Sequence, residues 1–236
     1  LKSISALPQD STRLTDRVFD TLCAAIIDGE IPAGSKISEP DLAKRLRVSR
    51  ASLREAIGRL EACNLVTRKP NVGARVVELN GDQLLEIYHL REALEGMAAR
   101  LAAHHIDEPE IAGLRALVDR HRRQIEAGGD EHHFQRVGDL EFHFLIVQGS
   151  HNGRLIKLLH NDLYPLVRMY RQQFGMTSRR TNLALREHHA IVETIAARDG
   201  EMAELMMRRH VRASRENLEC LLAQTPLEPI DERTEK

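Results

Sequence analysis

Apolar residues recur at helical spacing along most of this chain. Leu14, Val18, Leu22, Ala25 and Ile26 predict a first helix over about 13–28, ending at Gly29. Leu42, Ala43 and Leu46 form the stripe of a short second helix, and Leu53, Ala56, Ile57 and Leu60 that of a third. Only Arg47-Val48-Ser49 separates these two, the length of a helix-turn-helix turn. Ser49 is placed to cap the third helix. Two short β-branched runs then flank a Pro70-Asn71 and Gly73 turn region, which predicts a hairpin. From residue 84 onward no segment alternates like a strand. The pattern there predicts helices over about 82–104, 107–127, 130–150, 152–174, 178–198 and 200–223, the fourth open to a kink at Pro165.

The expected fold is therefore mainly α. An N-terminal winged helix-turn-helix over 11–78, with a small β-hairpin wing, is followed by a linker over 79–83. An all-α bundle of six or seven helices occupies 84–223, and 224–236 form a flexible tail.

Charge separates the two parts. Between Lys44 and Arg75 nine basic residues face two acidic ones, a net +7 within a 236-residue chain whose formal net charge is −1. A basic patch on a small domain suits neutralisation of nucleic-acid phosphates. Arg50 and Arg54 lie four apart near the start of the third helix, where a recognition helix meets base edges. Arg45, Arg47, Ser49 and Ser52 join them as candidate DNA contacts, with Arg68 and Lys69 on the wing. Arg75 is expected beside them near the DNA backbone or minor groove. The composition, 42% hydrophobic and 29% charged, suits a soluble helical protein, and the apolar run Leu22–Ile27 is far too short for a membrane span. With no apolar leader, the expected location is cytoplasmic. Cys23, Cys63 and Cys220 are scattered, which argues for a reducing compartment and against a thiolate metal site.

The first part closely resembles the DNA-binding domain of GntR-type bacterial regulators. The resemblance is carried by Gly29, Pro32, Gly34, Glu39, Leu42, Ala43, Leu46, Val48, Ser49, Arg50, Arg54, Glu55, Ala56, Leu60, Leu65 and Val66. Arg47 and Asn64 stand where glycine is usual, Ala51-Ser52-Leu53 replaces a Thr-Pro-Val type run, and Pro40 occupies a position where some relatives carry a DNA-contacting arginine. These departures bear on the operator sequence rather than on the function. The helical remainder resembles the effector-binding FCD domain of the FadR-type branch.

Asp139 and His143 are four apart and share one helix face. His188 opens a stripe with Ile191 and Ile195, and His210 follows Met206 and Met207. Any single histidine among the twelve is more often a solvated or hydrogen-bonded residue than a ligand. The FCD resemblance selects Asp139, His143, His188 and His210 as a metal set, with His189 as the alternative to His188. Nitrogen and oxygen ligands without thiolate suit a divalent ion such as Zn, Ni, Mn or Fe. Arg91 matches an arginine usual in the first FCD helix. It is read either as a bidentate partner for an effector carboxylate or as an i,i+4 ion pair with Glu95 on a solvated face. Asn152 matches a family asparagine and is read as a helix cap.

The resemblance implies a metabolite-responsive transcriptional regulator, a repressor by the commonest mode. It would bind an inverted-repeat DNA operator as a homodimer and sense a small carboxylic-acid effector. Two other readings stand beside it: a metal-dependent enzyme that retains a DNA-binding domain, and a purely structural metal. The enzyme would need a general base, and Glu141, two residues from Asp139, falls on roughly the opposite face.

Overall fold

A computed structural model describes residues 11–69, 73–78, 80–127, 138–173 and 180–224. The chain's first ten residues, the Pro70-Asn71 turn, Leu79, the Gly128-Gly129 stop, the expected third-helix start at 130–137, residues 178–179 and the tail from 225 lie outside the described residues. The rest falls into two compact units, one within residues 1–78 and 164–174, the other within 79–163 and 175–236.

In the first unit α1 spans Ser11–Ile27, α2 Glu39–Leu46 and α3 Arg50–Ala62. Their apolar stripes close on one core: Val18, Leu22 and Ile26 meet Leu42, Leu46, Leu53, Ile57 and Leu60, all buried. Pro40 sits in the first turn of α2, where a missing N–H loses no helical bond. Glu39 and Asp41 lie at the positive end of that helix, and Lys44 and Arg45 at its negative end. Arg47 ends α2 in the left-handed conformation, φ 55°, which a family glycine would adopt more easily. Asn64 does the same after α3, φ 57°. The Ser49 hydroxyl accepts the Ser52 N–H at 3.0 Å and caps α3.

The wing consists of β1 (Val66–Lys69) and β2 (Gly73–Val76), antiparallel with Val66 opposite Val76. A bridge from Lys36 to Arg75 extends it. Arg75, expected from sequence near the DNA backbone or minor groove, is half-buried. It turns inward and donates to the Gly34 carbonyl at 3.0 Å.

The second unit begins with α4 (Gly81–His105) and α5 (Glu108–Glu126). Both open with a capping box, Asn80 with Gln83 and Asp107 with Glu110. Helix α6 spans Asp139–Gly149 and α7 Gly153–Lys157, capped by Asn152. Instead of a simple kink at Pro165, a π-helical turn occupies Leu158–Leu163 before α8 (Tyr164–Gln173), which groups with the first unit. A proline lacks the N–H for the i→i−4 bond, and widening the preceding turn accommodates its ring. Helix α9 spans Thr181–Ala196 and α10 Gly200–Gln224.

Helices α4 and α10 run antiparallel in close contact. A Cβ on Gly96 would lie 2.6 Å from Arg208 Cγ, and one on Gly200 would lie 3.1 Å from the Arg100 carbonyl. The α9–α10 turn is fixed by Arg198, φ 62°, whose guanidinium donates to the Ile106 carbonyl at 2.5 Å and to Glu108 at 3.1 Å. It thereby satisfies a carbonyl at the end of α4 that the helix leaves without a partner.

Candidate metal centre and DNA-reading surface

Three helices of the second unit bring Asp139 and His143 (α6), His188 (α9) and His210 (α10) to one buried point, with one ligand atom from each inside 4.8 Å of the others. His210 Nε2 lies 3.2 Å from both His188 Nε2 and His143 Nε2. Asp139 Oδ1 lies 3.3 Å from His188 Nε2 and 3.9 Å from His210 Nε2, and Oδ2 lies 3.7 Å from His143 Nε2. Bonds of about 2.0–2.1 Å to one ion would separate tetrahedral ligand atoms by about 3.4 Å, within this spread. His189, one residue on, is exposed.

Two further carboxylates decide which nitrogens face that point. Glu95 Oε2 lies 2.5 Å from His143 Nδ1, and Glu187 Oε2 lies 2.7 Å from His210 Nδ1. A carboxylate beside Nδ1 favours the tautomer that keeps the proton on Nδ1 and leaves the lone pair on Nε2. Two such lone pairs face one another at 3.2 Å, which is repulsive unless a cation lies between them. This donor set fits a divalent ion on the chemistry of its atoms.

The acids are themselves held. Burial would raise the Glu95 carboxyl, but Arg91 and His143 hold it down to about 2. Arg91 Nε donates to Glu95 Oε1 at 2.7 Å, with both side chains buried. The Arg91–Glu95 pairing seen as an alternative in the sequence is thus present, but in the core rather than on a solvated face. Arg180 binds Glu187 at 2.8 and 2.9 Å. Burial lowers all three histidines, His188 to about 4, against the opposing pull of neighbouring carboxylates, so the imidazoles stay neutral and able to ligate.

Sequence reasoning missed the places of Glu95, Glu187 and Arg180 beside the histidines. Glu95 lies in phase with the buried stripe of Tyr88, Ala98, Ala99 and Ala102, the signal that would have placed it inside. No comparable signal marks Glu187, which is set by its meeting with α10. Glu141, the acid weighed as a base, is 43% exposed and pairs with Arg120 at 2.8 Å.

On the first unit Arg47, Ser49, Arg50, Arg54 and Arg68 are exposed, and Arg45 and Ser52 half-buried. Ser52 shares a 2.9 Å hydrogen bond with Ser49. Arg54 Nε donates to Glu39 Oε2 at 2.8 Å. The Arg68 guanidinium reaches the Arg54 carbonyl at 3.3 Å, tying the wing to α3. Lys69 closes β1 opposite Gly73.

Residues 14–76 match the model for bacterial regulatory proteins of the gntR family, and 86–213, more than half of the chain, match the FCD domain. The chain belongs to the GntR family. This GntR member is 29% identical over 207 residues to a probable D-xylose utilization operon transcriptional repressor from Paenarthrobacter nicotinovorans, covering 86% of this chain and 87% of that one. It is 30% identical over 206 residues to the uncharacterized HTH-type regulator YdhC of Bacillus subtilis (strain 168), covering 86% and 90%. A solved putative GntR regulator from Rhodococcus sp. RHA1 superposes with TM-score 0.69 at 25% identity, covering 89% of this chain and 99% of that one. GntR proteins are DNA-binding transcriptional regulators, and this is the protein's general role. Among the described residues no helix is long and apolar enough to cross a membrane.

Proposed function

We propose that this GntR regulator is a metabolite-responsive repressor whose helical domain, residues 84–223, senses a small carboxylic acid through a divalent metal ion. Asp139, His143, His188 and His210 hold the ion. The observation that carries this reading is the convergence of Asp139 and three imidazoles on one buried point, with Glu95 and Glu187 beside the Nδ1 atoms of His143 and His210. One aspartate against a divalent cation leaves net positive charge, and the bound ion supplies a site for an anionic oxygen of the effector. Arg91, fully buried on Glu95, acts here through that carboxylate rather than as a direct effector ligand.

The reader is residues 11–78, and α4 begins at Gly81, inside the stretch expected from sequence as a linker over 79–83. Arg50 and Arg54 meet base edges, while Arg45, Arg47, Ser49, Ser52, Arg68 and Lys69 contact phosphates or groove walls. Two readers of a homodimer engage an inverted repeat, since one contacts few bases, and effector binding weakens that grip. Repression is supported by the relatives named as repressors, in Paenarthrobacter nicotinovorans and in Escherichia coli. An enzymatic role is disfavoured because Glu141 is committed to Arg120.

The test titrates metal-loaded and chelator-treated protein onto its operator with a panel of hydroxy acids, sugar acids and dicarboxylates. One acid should release the loaded protein and not the stripped one. Release that is indifferent to metal would refute the sensing centre.

A further inference from the structure

Glu39 is an acid on the reader's basic surface, and repulsion from DNA phosphates disfavours it there. It opens α2 and reaches across fifteen residues of sequence to Arg54, its Oε2 accepting the Nε–H at 2.8 Å. Glu39 is 28% exposed and Arg54 67%, so the acid lies lower and the guanidinium projects above it. With Nε engaged, both terminal nitrogens of Arg54 remain available. Those two donors are the pair that guanine O6 and N7 accept in the major groove. Holding the fork in one plane also reduces the ordering that a long side chain undergoes on binding. Arg68, whose guanidinium reaches the Arg54 carbonyl at 3.3 Å, steadies the same turn of α3 from the wing.

We propose that Glu39 is a positioning residue for DNA readout. It presents the Arg54 guanidinium as a fixed bidentate fork, raising discrimination for a guanine in the operator while lowering affinity for DNA in general. This rests on the reading of α3 as the recognition helix. The competing role for Glu39 is structural, because an acid in the first turn of α2 also favours the helix dipole.

Glu39→Asp separates the two roles. It keeps the charge at the helix start but is one methylene too short for Arg54. Full-length wild type, Glu39→Asp, Glu39→Gln, Arg54→Ala and the Glu39→Gln/Arg54→Ala double variant are titrated onto two duplexes. One is selected from a random pool by the wild-type protein, and the other is an unselected duplex of equal length. Expected is a drop of about tenfold in the selected-to-unselected affinity ratio for both Glu39 variants, comparable with Arg54→Ala. Glu39→Gln should also bind the unselected duplex more tightly with a steeper salt dependence, since a repelling charge is gone. In the double variant the Glu39 change should lower the ratio no further. An undiminished ratio in Glu39→Asp beside a collapsed ratio in Arg54→Ala would overturn the positioning role. An undiminished ratio in Arg54→Ala would overturn the placement of the recognition helix itself. Equal weakening on both duplexes with a lowered melting temperature would assign Glu39 to the fold alone.

Discussion

The reader leaves the charges of its DNA-reading surface in water, whereas the helical domain buries those of its candidate metal centre. Arg47, Arg50 and Arg54 stand exposed on the first unit, and the Arg54–Glu39 pair is screened by solvent. In the second unit Arg91, Glu95, His143, His188 and His210 are buried and linked in sequence from one group to the next. The lesson is one of tolerance. A reader arginine can be lost with little effect on folding and a direct effect on binding. Within the buried chain each group is the solvation of its neighbour, so function and stability fail together.

The sharpest break in that comparison is expected at the ion pair. Arg91→Ala or Glu95→Ala leaves an unpaired buried charge and should destabilise the helical domain by about 3–5 kcal/mol. Removing a reader arginine such as Arg50 should shift urea midpoints hardly at all. Denaturation of both variants checks this, and equal shifts would erase the distinction.

Next in size is the metal set. His188→Ala and His210→Ala should purify with little bound metal, His189→Ala with the wild-type content, and all three should still bind the operator in gel shifts. Glu95→Gln and Glu187→Gln retain Asp139 and the three histidines but lose the carboxylate charge beside Nδ1, and should weaken metal affinity by roughly 10–100-fold. Elemental analysis and competition with a metallochromic chelator read both effects. A metal-free His189 variant beside a loaded His188 variant would exchange the assigned ligand.

Acid should act on one unit and spare the other. In the unfolded chain histidine takes up its proton near the usual ~6.5, whereas burial holds His188 to about 4. Between those values unfolding takes up protons, so stability of the helical domain is full above about 6.5 and falls as pH drops through the window. Glu95, held at about 2, gives up its contribution only below that range. Metal content should fall over the same upper window as protons compete for the imidazoles. A helical domain equally stable at pH 7 and pH 4.5 would contradict the buried neutral histidines.

The smallest expected effect belongs to the turn of the reader. Arg47→Gly relieves a left-handed arginine and should stabilise the first unit by up to about 1 kcal/mol. It should also weaken binding on all duplexes slightly and flatten the salt dependence, since one phosphate cation is lost. Opposite signs in melting and binding are the check; loss of both would make Arg47 part of the fold.

How far the sequence could be read follows the distance over which each feature is made. The reader's helices, the Ser49 cap and the turn are local, and their residues carry them within a few dozen positions. The helices that bring Asp139, His143, His188 and His210 together were legible by period, and the four residues themselves by an i,i+4 pair joined to family resemblance. Glu95 and Glu187 were not, because what makes them matter is a neighbour on another helix. The hydrogen bond from Arg75 to the Gly34 carbonyl was not legible either, since nothing in the strand pattern shows that partner. The π-turn at Leu158–Leu163 was half legible: Pro165 signalled a disturbance, while its form depends on packing.

Arg198 gives the helical domain a mechanical property. Its grip on Ile106 and Glu108 pins the corner where α9 turns into α10. Any tilt of these two helices is then a swing about a fixed pivot, with displacement growing along each arm. His188 stands ten residues from the pivot and His210 twelve, levers of about 15 and 18 Å at the helical rise. A tilt of only about 5° would carry an imidazole more than ~1 Å, half the length of a metal–nitrogen bond. Coordination by these side chains would therefore gauge helix angle, on a scale that a small molecule could move.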